Sequence, residues 1–223
     1  MVFRDRRDAG RALARLVATL PNLDKAIALG LPRGGVPVAY EVARACNLPL
    51  DVLVVRKIGA PGIKELAVGA VASGGIFAFN QEALRAFRLS EKDVRAMAEA
   101  ELGEVARRER DYRPGFPPLT LEGHSAILID DGLATGATMK AAVRAVRTRA
   151  EQVIIAVPVA AESSFHELES EADRLLCVFM PEVFDAVGQF YWNFEPTSDE
   201  EVRTLMLDAH RSWQARQASS HGG

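Results

Sequence analysis

Short, unbroken apolar runs constrain this chain more than any other feature. They fall at 26–31, 51–56, 126–130, 153–157 and 174–179. Each has the length of a strand and is far below the roughly 20 residues that cross a bilayer. Between them, over 36–46, 137–149 and 162–171, apolar residues recur at helical spacing. A strand covered on both faces reads as a continuous apolar run, and strands that alternate with helices pair in parallel. The chain therefore reads as α/β, a mainly parallel sheet with helices on both faces. Its 223 residues fit a single domain, 1–223, with the core at about 25–180.

The remaining segments are placed around that core. Leu13, Leu16, Val17 and Leu20 mark a helix over 6–20, stopped by Pro21. Residues 57–66, broken by Gly59, Pro61 and Gly62, read as a loop. Strands near 67–73 and 76–79 flank a Ser73-Gly74-Gly75 hairpin turn. Ser90-Glu-Lys-Asp93 is a capping box that opens one long inserted helix over about 91–112, with Val94, Ala98, Leu102 and Val105 as its apolar stripe. Arg107, Arg108 and Arg110 near its end match the helix dipole and read as a solvated face. An aromatic segment, 181–196, leads to a last helix from about 199, capped by Thr197 or Ser198, and to a frayed tail over 216–223.

Composition excludes several classes. Lys and Arg number 27 against 30 Asp and Glu, so the net charge is −3 and does not advertise a nucleic-acid partner. Two distant cysteines, Cys46 and Cys177, form no disulfide framework or zinc site, which fits a reducing cytoplasm. The four histidines show no ligand spacing, so no protein-built metal cage is expected. The charged N-terminus has no apolar stretch behind it and does not read as a signal peptide. A soluble cytoplasmic protein, with no membrane partner, is the expectation.

Ligands in open parallel sheets bind at the C-terminal strand ends. There the stretch Ala126-Ile-Leu-Ile-Asp130-Asp131-Gly132-Leu-Ala134-Thr135-Gly136-Ala137-Thr138 carries the chemistry. A buried strand delivers two adjacent carboxylates, and a loop of small residues opens directly into a helix. The loop N–H groups, the helix N-terminus and the Thr135 and Thr138 hydroxyls make a phosphate cradle. Two acids beside a phosphate are repulsive unless they face hydroxyls or a cation, so the ligand that fits is a phosphorylated sugar held end-on. The run is neither a Walker A loop nor a GxGxxG turn. An ordinary strand–turn–helix with a threonine cap accounts for any one element but not for all of them in this order.

The run resembles the phosphoribosyl-pyrophosphate (PRPP) signature of type I phosphoribosyltransferases. The resemblance covers about 25–196. It implies that Asp130 and Asp131 hold the ribose hydroxyls, and that Ala134, Thr135, Gly136, Ala137 and Thr138 bind the 5′-phosphate. Leu31-Pro-Arg33-Gly34-Gly35 is similar to the family's pyrophosphate loop; alone it reads as a Gly-Gly turn with an exposed arginine, and beside the 126–138 run the pyrophosphate reading prevails. The family places a basic residue where Arg56 and Lys57 stand, with a mobile covering loop, whereas a snorkelling pair at a strand end is the plain reading. Glu65 in that loop reads as a solvated acid. The segment at 181–196 corresponds to the family's variable hood over the nucleobase, with Phe184 as a candidate stacking residue. Its aromatics can equally close the core or join two copies in a homodimer. Ala134 stands where some purine-using members carry an acid, which leaves the acceptor open.

The resemblance thus implies an Mg²⁺-dependent transferase that moves ribose 5-phosphate from PRPP to a nitrogen acceptor, a nucleobase, and releases pyrophosphate. Mg²⁺ would arrive with PRPP, Arg33 and Lys57 would stabilise the leaving group, and Gly34, Gly35, Arg56 and Phe184 would contact substrate. Two other readings stand beside it. One is a PRPP-sensing regulator that binds nucleic acid, which predicts a steep salt dependence. The other is a hydrolase of a phosphorylated sugar.

Overall fold

A computed structural model describes residues 2–220, except for the side chains of residues 64, 65 and 220. Five parallel strands form the central sheet: β1 (Ala26–Gly30), β2 (Leu50–Val52), β6 (Ser125–Ile129), β7 (Gln152–Val159) and β8 (Arg174–Phe179). Their order is β2-β1-β6-β7-β8, so Gly30 lies level with Ile129, and Ile129 with Ala156. Side-chain alternation along these strands explains the unbroken apolar runs. Ala28, Ile127, Ile129, Ile154 and Ala156 enter one core, and Ile27, Leu29, Leu128, Val153 and Ile155 enter another. The first core packs against α1 (Arg6–Val17), α2 (Gly35–Cys46) and α8 (Asp199–Ser220) through Leu13, Val42 and Leu205. The second packs against α6 (Ala137–Val146) and α7 (Glu162–Glu169) through Met139, Val143 and Leu168. Strand residues between the two cores are therefore apolar whichever face they point to, and Ser125, Gln152 and Arg174 stand at the strand starts.

Four expectations need correction. The run 51–56 is not one strand. It leaves the parallel sheet after Val52 and resumes as β3 (Val55–Ala60), which pairs antiparallel with β4 (Ile63–Ala72) and then β5 (Ile76–Phe79) in a separate three-stranded sheet. The segment 57–66 is accordingly not a loop but most of a hairpin. Pro61 and Gly62 form its two-residue tip, with Gly62 at φ +78°, and the register shifts at Gly59. Each breaker thus has a position that a hairpin needs, a turn or a bulge. Third, the long helix over 91–112 is two helices, α4 (Glu91–Met97) and α5 (Glu99–Tyr112), after an unanticipated α3 (Gln81–Phe87).

The capping box at Ser90 forms as expected, but backbone turns at Ala98 (ψ −3°) separate the two helices. Ile58, Ala60, Val68, Ala83, Leu84, Val94 and Ala98 make a small core for this satellite. At the other end, α8 runs through Ser220, so helix replaces most of the expected tail. Among the described residues no helix is long and apolar enough to cross a membrane.

Candidate functional site

The acids stand at the centre of the parallel sheet's C-terminal edge, where β6 ends. Asp130 Oδ1 accepts the Asp131 backbone N–H at 2.8 Å, which fixes the turn of the chain out of the strand. Burial and the neighbouring Asp131 push the Asp130 carboxyl well above the usual range. Asp131 is also raised by burial, and an arginine opposes that rise. The arginine is Arg6 of α1, whose Nε donates to Asp131 Oδ2 at 2.8 Å.

Beyond the acids, the loop is clipped to the end of β7. Leu133 N–H donates to the Val159 carbonyl and Ala161 N–H to the Leu133 carbonyl, both at 2.9 Å. The Ser164 hydroxyl of α7 donates to the Ala134 carbonyl. Gly136 then turns at φ +68°, a conformation that favours glycine, and Ala137 opens α6. Ala134, Thr135 and Thr138 are exposed and Gly136 and Ala137 half-buried. The first N–H groups of α6 therefore point to a solvent-accessible corner beside the acids, where a phosphate is favoured.

The segment after β1 lies directly against the same acids. A Cβ on Gly34 would sit 2.0 Å from Asp131 Oδ2, and one on Gly35 would sit 2.5 Å from the Ile129 carbonyl oxygen and 3.1 Å from Asp130 Oδ1. Only glycine at both positions lets the two turns touch. The peptide between Pro32 and Arg33 is cis. The Arg33 side chain points outward, 4.0 Å from Asp199 at the start of α8.

Other candidates are placed elsewhere. Arg56 on β3 donates to Glu101 of α5 at 2.7 Å, so it is held by α5 rather than by the acid edge. Lys57, next on the strand, is exposed. The Glu65 side chain lies outside the described residues. Phe184 is half-buried, with its ring 5.3 Å from Phe190 in a cluster with Phe3 and Tyr191. That packing makes Phe184 a support of the hood, with part of its surface left open. Among the described residues no group of three or more His, Cys, Asp or Glu could hold a metal ion.

Three contributors were not legible in advance: Arg6, Ser164 and Tyr191. The Tyr191 hydroxyl donates to the Asp131 carbonyl at 2.5 Å, and its own ionisation is pushed up by burial and Asp131. One signal for Arg6 was available. It opens a helix, where the dipole disfavours a cation.

Comparisons with known proteins bear on the family and the fold. A family model described as a phosphoribosyl transferase domain matches residues 6–195. The chain is 43% identical over 213 residues to a Mycobacterium tuberculosis protein named as a candidate phosphoribosyl transferase, in strains CDC 1551 and H37Rv alike. That match covers 95% of this chain and 48% of the relative, so the chain spans about half the length of the curated relatives it matches. The crystal structure of TT1426 from Thermus thermophilus superposes with a TM-score of 0.84 at 40% identity, covering 93% of this chain and 99% of that one.

Proposed function

The chain belongs to the phosphoribosyl transferase domain family, and on that footing we propose that it transfers ribose 5-phosphate from PRPP to a nitrogen nucleophile of a nucleobase. One observation carries the reading. The glycine pair after β1 and the acid pair after β6 are in direct contact, with 2.0 Å separating a hypothetical Gly34 Cβ from Asp131 Oδ2. A ligand on the acids through a diol therefore has its next substituent against the Gly34-Gly35 backbone. PRPP has that order of groups: 5′-phosphate for the Thr135–Thr138 loop, diol for Asp130 and Asp131, and pyrophosphate on C1 for the glycines.

In this reading the acceptor nitrogen forms a bond to C1 while the C1–O bond to pyrophosphate breaks, and pyrophosphate leaves with the electron pair. The acceptor's proton passes to solvent. The transition state is oxocarbenium-like, so the protein needs no nucleophile. Its work is to align the two partners and to stabilise the departing oxygens with the backbone N–H groups of Arg33 and Gly34 and the Arg33 guanidinium, the Gly35 N–H being donated to the Leu31 carbonyl. Lys57 is the exposed cation of the hairpin assigned to the same leaving group, and Phe184 the apolar surface assigned to the base. Mg²⁺ enters as part of the substrate, carried on PRPP oxygens, as this hard ion keeps waters and pairs with phosphates.

The test is a screen of purines, pyrimidines and small heterocycles with PRPP and Mg²⁺, reading pyrophosphate release and calorimetric PRPP binding. Release with at least one base supports transfer. Failure with every base, together with salt-sensitive RNA or DNA binding, would favour a regulator instead.

A further inference from the structure

Arg6 is the feature this functional reading leaves unused. It lies on the first turn of α1, far in sequence from every motif, yet it makes three separate contacts around the acid edge. Its Nε donates to Asp131 Oδ2 at 2.8 Å, its Nη1 donates to the Glu195 carbonyl at 2.7 Å, and its guanidinium stacks 3.9 Å from the Phe194 ring centroid. The two side chains of the ion pair are only 12% and 15% exposed, so water screens their charges little.

We propose that Arg6 is a positioning residue for the sugar site: it holds Asp131 by one carboxylate oxygen, leaves Oδ1 for the ribose diol, and ties that carboxylate to the hood backbone. The inference rests on the assignment of Asp131 to the diol.

Four segments meet at this carboxylate. Tyr191 holds the Asp131 carbonyl while Arg6 holds its side chain, so both backbone and rotamer are fixed. Gly34 closes on the same pair, with a hypothetical Cβ only 3.1 Å from Arg6 Nε. A salt bridge that served the fold alone would have no need to sit where the pyrophosphate turn and the acid turn touch. The planar fork of arginine matters here, because it reaches a carboxylate and a carbonyl at once while stacking on a ring. A lysine ammonium is a point charge that cannot reproduce all three contacts.

The position also carries a local penalty, a cation at a helix N-terminus. Asp5 caps the helix, accepting the Asp8 N–H at 2.8 Å, and Asp8 adds an acid in the first turn, which offsets that penalty.

The experiment is calorimetry on the full chain with two probes, PRPP·Mg²⁺ and inorganic pyrophosphate·Mg²⁺, the second of which has no diol. Arg6→Gln should weaken PRPP about tenfold and leave pyrophosphate within about twofold, and Arg6→Lys, which keeps the charge, should fall between it and the wild type. Because Arg6 acts through Asp131, the Arg6→Gln/Asp131→Asn double variant should bind PRPP no more weakly than Asp131→Asn alone. Equal losses for both probes, or additive losses in the double variant, would overturn the proposal. If Arg6→Gln does not fold, Arg6→Lys decides: a selective loss of PRPP supports the role and wild-type affinity for both probes overturns it. A wild-type chain that binds pyrophosphate but not PRPP would instead overturn the sugar assignment, and the role of Arg6 with it.

Discussion

Two segments flank the acid edge, and they are attached to it in different ways. The hood is fastened by backbone and polar contacts that reach the acids themselves. Phe3 N–H donates to the Phe190 carbonyl at 2.8 Å and Trp192 N–H to the Phe3 carbonyl at 2.9 Å, while Tyr191 and Arg6 both hold Asp131. Gly132, beside the acids, leaves only 2.5 Å between a hypothetical Cβ and Val187 of the hood. The hairpin β3–β4 instead packs on α3 and α4 around its own small core. It faces α6 across a cavity of roughly 250 Å³ lined by Leu66, Gly69, Ala70, Ala137, Lys140 and Arg144. Val54 N–H donates to Ser73 Oγ at 2.9 Å and closes the base of the hairpin, and Arg56 is the polar strut that joins it to Glu101 of α5. The base of β4 is rooted in the main cores through Val71 and Ala72, whereas Ile58, Ala60 and Val68 toward the tip pack in the small core, so the tip is the part that can shift. Substitutions around the hood and acids should therefore change affinity, and substitutions in the hairpin should change stability or turnover.

Glycine substitutions give the largest contrast. Gly34→Ala needs no change of φ, which is −61°, yet its methyl would lie 2.0 Å from Asp131 Oδ2. The acid must move, and PRPP affinity should fall by about a hundredfold or more, with a stability loss of about 1–3 kcal/mol from overpacking. Gly62→Ala at the hairpin tip meets nothing within 4 Å but sits at φ +78°. It should cost about 1 kcal/mol through backbone strain and leave PRPP affinity unchanged. Calorimetry and thermal melts on both variants check this. Equal PRPP losses would erase the distinction between the two segments.

An effect of intermediate size separates affinity from stability within the acid pair. The Asp130 carboxyl is held well above its ordinary value of 3.8 by burial and by Asp131. The native state therefore binds more protons than the unfolded chain at pH values between 3.8 and that raised value, and stability falls as pH rises through this window. At neutral pH the buried acid pair is a net cost, whether it holds a second charge or takes up a proton that the unfolded chain does not. Asp130→Asn keeps an oxygen for the Asp131 N–H and removes the repulsion, so its melting temperature at pH 7.5 should exceed that of the wild type by about 2–4 °C. The advantage should shrink at pH 4. The same variant should bind PRPP roughly ten- to a hundredfold more weakly, since charge-assisted hydrogen bonds to the diol are lost. A destabilised Asp130→Asn chain at pH 7.5 would contradict the assigned electrostatics.

The contrast between the two segments also marks where the sequence was readable. Strands such as 126–130 announce themselves because both faces are covered, and the small-residue loop after Asp131 has to be small to open α6 beside the acids. In the hairpin the same residue types were misleading. Gly59, Pro61 and Gly62 read as loop breakers, whereas one glycine marks a bulge and the Pro-Gly pair forms a two-residue tip. The division at Ala98 has no local breaker in sequence, because alanine is a good helix former and the helical stripe continues through it. Arg6 and Tyr191 were hidden for another reason. They act on Asp131 across 125 and 60 residues, and no local pattern encodes a contact at that separation.

The smallest effect concerns Arg56, and it tests whether the satellite touches the chemistry. Its ion pair with Glu101 is short, 2.7 Å, but the side chains are 42% and 31% exposed, so solvent screens much of its Coulomb energy. Arg56→Gln should cost at most about 1 kcal/mol of stability, and Glu101→Gln should match it, because either change breaks the same strut. If Arg56 serves only as that strut, both variants keep the PRPP affinity of the wild type within about twofold and share one small change in turnover. If the hairpin instead moves over bound PRPP and Arg56 exchanges Glu101 for pyrophosphate, the two variants part. Arg56→Gln then loses turnover about tenfold, while Glu101→Gln, with its arginine released, keeps or gains it. Steady-state pyrophosphate release from the two single variants separates these outcomes. Parallel losses leave Arg56 as a strut between β3 and α5, and opposite changes make the hairpin part of the leaving-group site.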